Sequence, residues 1–229
     1  MSSASPTGTP LRAADLVGLR PTRRIAGRNW TKAELLVYRL DSGPVAVKDY
    51  RCRPWPVRNT VGRWLIRRET AAYLAAGPTV GLPEFLGRID RFRLATRWVD
   101  ARPLAQFSFG PEHVEQAAAI VGRLHASGVA VADLHHRDLL SGDDGSLYLV
   151  DLAMAYVLGS RPGALRRHLF ERLRQADLVA LARLRARASG EDEQVAVLAI
   201  GSDAARWHRR GRRLKGYWDR LRHGNRPGR

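Results

Sequence analysis

The chain has 229 residues, with 39 Lys+Arg against 22 Asp+Glu, for a formal net charge of +17. That length holds one sizeable core, or two small lobes around one site, and excludes a string of ordinary domains. With 45% hydrophobic and 27% charged residues the middle of the chain folds. Its single cysteine, Cys52, excludes an intramolecular disulfide and a cysteine-based zinc centre.

The charge is unevenly distributed. Residues 206–229 carry ten Lys/Arg and one acid, Asp219, which is over half of the net charge. Within them Trp207, Leu214, Trp218 and Leu221 recur at helical spacing. Such a helix either docks on the body with its arginines outward or offers its basic face to phosphates, those of nucleic acid or of an anionic membrane surface. Only three cations are lysines, Lys32, Lys48 and Lys215, so any lysine that chemistry requires is easy to find. Met1–Pro10 has neither a basic nor an apolar stretch of the secretory kind. No apolar run approaches the roughly 20 residues that span a bilayer. The expected location is cytoplasmic, with a peripheral position at the inner face of the membrane left open to the basic tail.

Taken in order, residues 23–50 read as extended: Leu35–Leu40 and Val45–Tyr50 flank a turn at Asp41-Ser42-Gly43-Pro44, a hairpin pattern. Arg51–Pro56 is a proline-broken basic connection. Asn59 or Thr60 is placed to cap a helix that runs to about Ala76 and stops at Gly77-Pro78. Gly87–Ile89 and Arg93–Val99 are further strand candidates. From Pro111 to Ser127-Gly128 the apolar positions Val114, Ala117, Val121 and Leu124 fall on one helical face. A short extended stretch, Val129–Val131, leads into a polar loop and a strand from Ser146 to Asp151. The remainder is helical, with Leu165, Leu169 and Leu173 forming one stripe, Leu178, Leu181 and Leu184 a second, and Asp177 between them as a cap. The expected division is a flexible N-terminus (1–19), a sheet-rich N-lobe (20–100), a helical C-lobe (101–205) and a basic C-terminal helix and tail (206–229).

Between the short strands stand three carboxylates, Asp133, Asp138 and Asp151, spaced by five and thirteen residues. Leu139-Leu140 and Tyr148-Leu149-Val150 anchor them in a core, and carboxylates so placed can hold Mg²⁺ and accept a proton. At this point the sequence resembles the protein-kinase-like superfamily, especially the lipopolysaccharide sugar kinases of the Kdo and heptose kinase type and the RIO-type kinases. In that superfamily a catalytic Asp is followed five residues later by an Asn, and by a metal-binding Asp after a hydrophobic strand. Val45-Ala46-Val47-Lys48 is similar to the family's third-strand lysine motif, and Glu69 lies on the following helix. The resemblance covers roughly residues 20–185.

It implies an α+β, two-lobed protein-kinase-like fold, with a small antiparallel β N-lobe and a truncated helical C-lobe. It implies a kinase that moves the γ-phosphate of ATP, with Mg²⁺, to a hydroxyl acceptor. Lys48 would contact the α/β-phosphates and pair with Glu69, Asp133 would act as the base, and Asp138 and Asp151 would bind metal. Gly27, in the turn Ala26-Gly27-Arg28-Asn29, would face the phosphates. Trp98 and Val99, in a hinge near Thr96–Leu104, would face the adenine. His135 would touch phosphate or hold the loop. A second register uses the literal His136-Arg137-Asp138-Leu139 as the catalytic motif, but it leaves only thirteen residues to Asp151, so Asp133 is preferred as the base.

The sequence departs from the family in four places. The turn has one glycine where the family's phosphate loop is glycine-rich, Val131-Ala132 precede Asp133, Asp151-Leu152-Ala153 stands in place of Asp-Phe-Gly, and the Ala-Pro-Glu motif is absent. The short segment after Asp151 leaves little platform for a peptide and points to a sugar or lipopolysaccharide-type acceptor. The same losses keep open a nucleotide-binding pseudokinase or scaffold that acts through its basic tail. Charge alone supports a nucleic-acid-binding module.

Overall fold

The computed structural model describes residues 10–27 and 30–192. The basic helix and tail expected at 206–229 lie outside the described residues, as do Arg28 and Asn29. Five strands form an antiparallel sheet in the order β1 (Arg23–Ile25), β2 (Glu34–Leu40), β3 (Gly43–Asp49), β5 (Arg93–Arg97) and β4 (Phe85–Arg88). The hairpin expected at residues 35–50 is present, with Val45 opposite Tyr38, Val47 opposite Leu36 and Lys48 opposite Leu35. Alternation along β3 buries Val45 and Val47 with Leu16, Leu36, Tyr38 and Ala95. It turns Lys48 to the other face.

The helix after the sheet starts earlier than the sequence suggests. Trp55–Val57 form a first short turn (α1), a π-helical turn covers Arg58–Gly62, and α2 runs Arg63–Ala76. Asn59 and Thr60 are not caps: their side chains donate back to the carbonyls of Trp55 at 3.0 Å and Pro56 at 2.7 Å. Pro56 sits within the first turn, where its missing N–H costs nothing. Gly77 ends α2 at φ 62° and donates its N–H to the carbonyl of Tyr73.

Below the sheet, α3 (Pro111–Ala126) and α4 (Ala164–Ser189) pack around three short strand pairs. In chain order these strands are β6 (Ala101–Pro103), β7 (Val129–Ala130), β8 (Leu139–Gly142), β9 (Leu147–Leu149) and β10 (Tyr156–Val157), with β6-β8-β9 in one sheet and β10-β7 in another. The helical face read from the sequence, Val114, Ala117, Val121 and Leu124, is buried with Leu139, Leu149, Leu152 and Leu184 in the largest core. Each such valine or leucine contributes about 2 kcal/mol on burial. The polar loop expected up to residue 145 contains β8, and the strand expected from Ser146 to Asp151 is confined to Leu147–Leu149. The two leucine stripes at 165–184 belong to one helix, so Asp177 lies inside it and caps nothing. Leu165 is 80% exposed, so the first stripe does not enter the core. A smaller cluster, Tyr50, Leu65, Ile66, Leu94 and Ala153, joins β3, α2, β5 and the segment after Asp151.

Candidate active site

On α2, Glu69 occupies the same buried stripe as Ile66 and Tyr73, three residues before it and four after. An acid on an apolar stripe needs a partner, and Glu69 has one. Lys48 Nζ donates to Glu69 Oε1 at 2.6 Å and to Asp151 Oδ1 at 3.2 Å. Burial pulls the Lys48 ammonium down, but Asp151 and Glu69 outweigh it and hold the group well above its usual range. Burial raises the Glu69 carboxyl, and Lys48 only partly offsets that. Asp151 is also pushed up by burial, but Lys48, the N–H of Ala153 at 3.0 Å and Lys32 bring it down to about 2.

Lys32, which belongs to no motif in the sequence, joins the site. It stands in the turn between β1 and β2, and its Nζ lies 3.7 Å from Asp151 Oδ2. Its signal was the scarcity of lysine: two of the three lysines reach one carboxylate. Gly27 allows that turn to double back, since a Cβ there would meet the carbonyl oxygens of Ala33 at 2.5 Å and Lys32 at 2.7 Å. The turn's own backbone therefore accounts for this glycine.

Arg68, next to Glu69 on α2, has a role that its place in the sequence does not reveal. It donates through Nε to the carbonyl of Ala155 and through Nη2 to that of Met154, both at 2.8 Å, with its guanidinium 4.8 Å from the Trp64 ring. Two consecutive helix residues thus fix β3 and the segment that follows Asp151.

The loop that carries Asp133 and Asp138 is held from behind. Asp177, 1% exposed, accepts the N–H groups of Val131 and Ala132, each at 2.8 Å, and pairs with His125 Nε2 at 2.9 Å. Ala132 is left at φ 67°, the one left-handed non-glycine among the described residues, immediately before Asp133. Asp133 is exposed, whereas Asp138 is partly buried. The Asp138 N–H donates to the carbonyl of His135 at 2.9 Å, and the carbonyl of Asp138 accepts the Val150 N–H at 3.0 Å. That second bond sets Asp138 beside the strand end that carries Asp151. Burial, with Asp151 adding to it against Lys32 and Lys48, raises Asp138 to about 6. His135 is held down at about 4, chiefly by burial and by Arg137.

Of the residues singled out by sequence, Lys48, Glu69, Asp138 and Asp151 converge, with Asp133 at the exposed start of the loop. Trp98 and Val99 line a different space, a cavity of about 300 Å³ against the hinge that includes Glu84, Arg97, Asp143 and Tyr148. None of the converging residues lines it. The Trp98 N–H is already given to the carbonyl of Pro44 at 3.0 Å.

Among the described residues no three His, Cys, Asp or Glu side chains gather as a metal cage. Two neighbouring carboxylates remain, Asp138 and Asp151, one with its pKa raised and the other balanced by lysines. That donor set suits a hard divalent ion that takes one or two protein carboxylates and fills its other positions with phosphate and water, as Mg²⁺ does.

No protein-family model matches the chain. Over 133 residues it is 32% identical to a probable bifunctional tRNA threonylcarbamoyladenosine biosynthesis protein of Methanosarcina acetivorans. The match takes in 54% of this chain and 23% of that protein, so it spans less than a quarter of the relative. The crystal structure of the Rio2 kinase–ADP/Mg²⁺–phosphoaspartate complex from Chaetomium thermophilum superposes with a TM-score of 0.50 at 17% identity, over 82% of this chain and 62% of that one. The fold is protein-kinase-like. In this kinase-like chain the five-stranded sheet and α2 form one lobe, and α3, α4 and the short strand pairs form the other. Lys48, Glu69 and Asp151 stand where the lobes meet, tied together across both.

Proposed function

We propose that this chain is an ATP-dependent phosphotransferase acting on a small hydroxyl acceptor, a sugar or a lipopolysaccharide-type molecule rather than a regulated protein. The observation that carries the reading is the ion-paired set Lys48–Glu69–Asp151 beside Asp138. Lys48, oriented by Glu69, would meet the phosphates of ATP as a point charge, and Lys32 would add a second cation from the β1–β2 turn. Mg²⁺, held by Asp138 and Asp151, would supply neutralisation of the polyphosphate charge. Asp133 would take the proton of the acceptor hydroxyl. As that oxygen bonds to the γ-phosphorus, the bond from phosphorus to the β,γ-bridging oxygen breaks and ADP leaves with the bond's electron pair. The short segment 152–163 between Asp151 and α4 supports a small acceptor, because it offers little surface on which to lay a peptide.

The test is ATP turnover, with and without Mg²⁺, by wild type, Lys48→Ala and Asp151→Asn. The expected result is a loss of about 100-fold or more in each variant, the scale on which removing one preorganised charge acts. Turnover indifferent to both substitutions overturns the reading. A nucleotide-binding scaffold is the second reading. It is favoured by the turn at Gly27, whose glycine serves its own backbone. It predicts ATP binding by thermal shift with no transfer to any acceptor.

A further inference from the structure

Away from the cleft, one stretch of the sheet lobe carries cations without acids. Residues 51–68 contain six arginines and no Asp or Glu, and they form the connection after β3, α1, the π-helical turn and the start of α2. Three of these arginines serve the fold. Arg51 pairs with Asp49 at 2.7 Å, Arg58 donates to the carbonyl of Arg51 at 3.3 Å, and Arg68 holds the carbonyls of Met154 and Ala155. The other three, Arg53, Arg63 and Arg67, pair with no carboxylate among the described residues. Arg53 lies half-buried against the turn at Gly27, and Arg63 and Arg67 are exposed. The acids packed nearby are already matched: Asp49 holds Arg51, and Asp90, on the turn that sets Phe92 against Arg58, holds Arg93 at 2.8 Å.

The side of α2 opposite the buried Ile66, Glu69 and Tyr73 exposes Arg63, Trp64, Arg67, Ala71 and Leu74, at the three- and four-residue spacings of one helical face. Trp64 is 48% exposed, Leu74 69%, and Trp55, at the start of α1, 69%. The Trp64 ring is steadied by the Arg68 guanidinium at 4.8 Å, which is itself tied to the carbonyls below. Unmatched arginines set among exposed tryptophans suit the surface of an anionic bilayer, where headgroups meet the cations and the interfacial layer takes the indoles. Nucleic acid is followed along a basic groove. This face is the convex outside of one helix, and Leu74 finds no partner in a phosphate chain. We propose that the outer face of α1 and α2, through Arg53, Trp55, Arg63, Trp64 and Arg67, docks on an anionic lipid bilayer. The surface is separate from the basic C-terminal segment, and the inference does not depend on phosphotransfer in the cleft.

The single cysteine supplies the test, because Cys52 is exposed and stands next to Arg53 in this stretch. The full chain, labelled at Cys52 with an environment-sensitive fluorophore, is titrated with vesicles of phosphatidylcholine alone and with an equimolar mixture of phosphatidylcholine and phosphatidylglycerol. The mixed vesicles should shift the emission to the blue and saturate, and phosphatidylcholine alone should leave it unchanged. The double variant Arg63→Glu/Arg67→Glu should weaken binding to the mixed vesicles by at least about tenfold, since one basic residue at an anionic surface is worth about fivefold. Arg63→Gln/Arg67→Gln should weaken it by less, and Trp55→Ala should weaken it as well. A thermal melt of each variant shows that it is folded. Absence of vesicle binding, equal binding to both kinds of vesicle, or unchanged binding in the folded Arg63→Glu/Arg67→Glu variant overturns the inference. So does co-sedimentation of the chain with mixed vesicles without a change at Cys52, which assigns the bilayer to the C-terminal segment. A Cys52 signal raised by a single-stranded RNA homopolymer and not by vesicles overturns it too, by assigning the face to nucleic acid.

Discussion

The two walls of the cleft are stabilised in different ways. On the β3–α2 wall, charged side chains hold one another directly: Lys48 is bonded to Glu69, 21 residues away, and to Asp151, 103 residues away. On the wall formed by residues 131–138 the acidic side chains stand forward, and the backbone behind them is held by Asp177 from α4. The first wall draws its order from charge pairing over a buried cluster and the second from hydrogen bonds to main-chain N–H groups. Damage to the first should therefore appear as an uncompensated charge, and damage to the second as a loosened loop.

The largest effect is expected from Lys48→Met, which leaves the buried Glu69 carboxylate unpaired and should cost roughly 3–4 kcal/mol in urea unfolding. Adding Glu69→Leu should recover much of that, because the unpaired charge is then gone. If the double variant is as unstable as the single one, charge pairing is not what orders this wall. Next comes Asp177→Ala, which strips acceptors from the Val131 and Ala132 N–H groups and a partner from His125, at about 2–3 kcal/mol. Its signature is faster amide exchange at Val131 and Ala132, with the Lys48–Glu69 wall unchanged.

Asp138→Asn should act in the opposite direction. The folded-state pKa of Asp138 is raised to about 6, so the native protein binds its proton more tightly than the unfolded chain does. That contribution is fully present below the ordinary carboxyl value and is lost as pH rises through about 6. The asparagine does not titrate. The variant should match wild type near pH 4 and be more stable at pH 7 by about 1–2 kcal/mol, after allowance for partial exposure. A difference that does not change with pH would show that the burial of Asp138 carries no such cost. The smallest effect is expected from Ala132→Gly, where relief of the left-handed conformation outweighs the added freedom of the unfolded chain and raises stability by up to about 1 kcal/mol. If it destabilises, the Asp177 bonds do not strain this residue.

Local pattern made much of this legible in the sequence. The β2–β3 hairpin, the face of α3 and the positions of Lys48 and Glu69 follow from alternation, helical spacing and a rare lysine. The elements that sequence reasoning placed wrongly depend on distant partners. Asp177 resembles a helix cap, because an acid in a run of leucines has no local reason to be buried; its reason is two N–H groups 45 and 46 residues earlier. Thr60 and Asn59 resemble caps because they are good ones, but Pro56 and the packing of Gly62 on the Tyr50 ring carry the helix back past them. The four residues of β8 followed an apparent loop and gave no periodic signal. Lys32 and Arg68 could be placed only once the fold brought Asp151 and the carbonyls of Met154 and Ala155 to them.

That two lysines flank Asp151 also makes the cleft chemically addressable. The chain has one other lysine, Lys215, outside the described residues. An amine-acylating reagent thus has one target in the cleft, Lys32, which is half-exposed, because Lys48 is held protonated by Glu69 and Asp151 and does not acylate. Peptide mass mapping of the modified chain would report occupancy of the cleft directly, through whatever ligand shields Lys32, with the labelling of Lys215 as a reference.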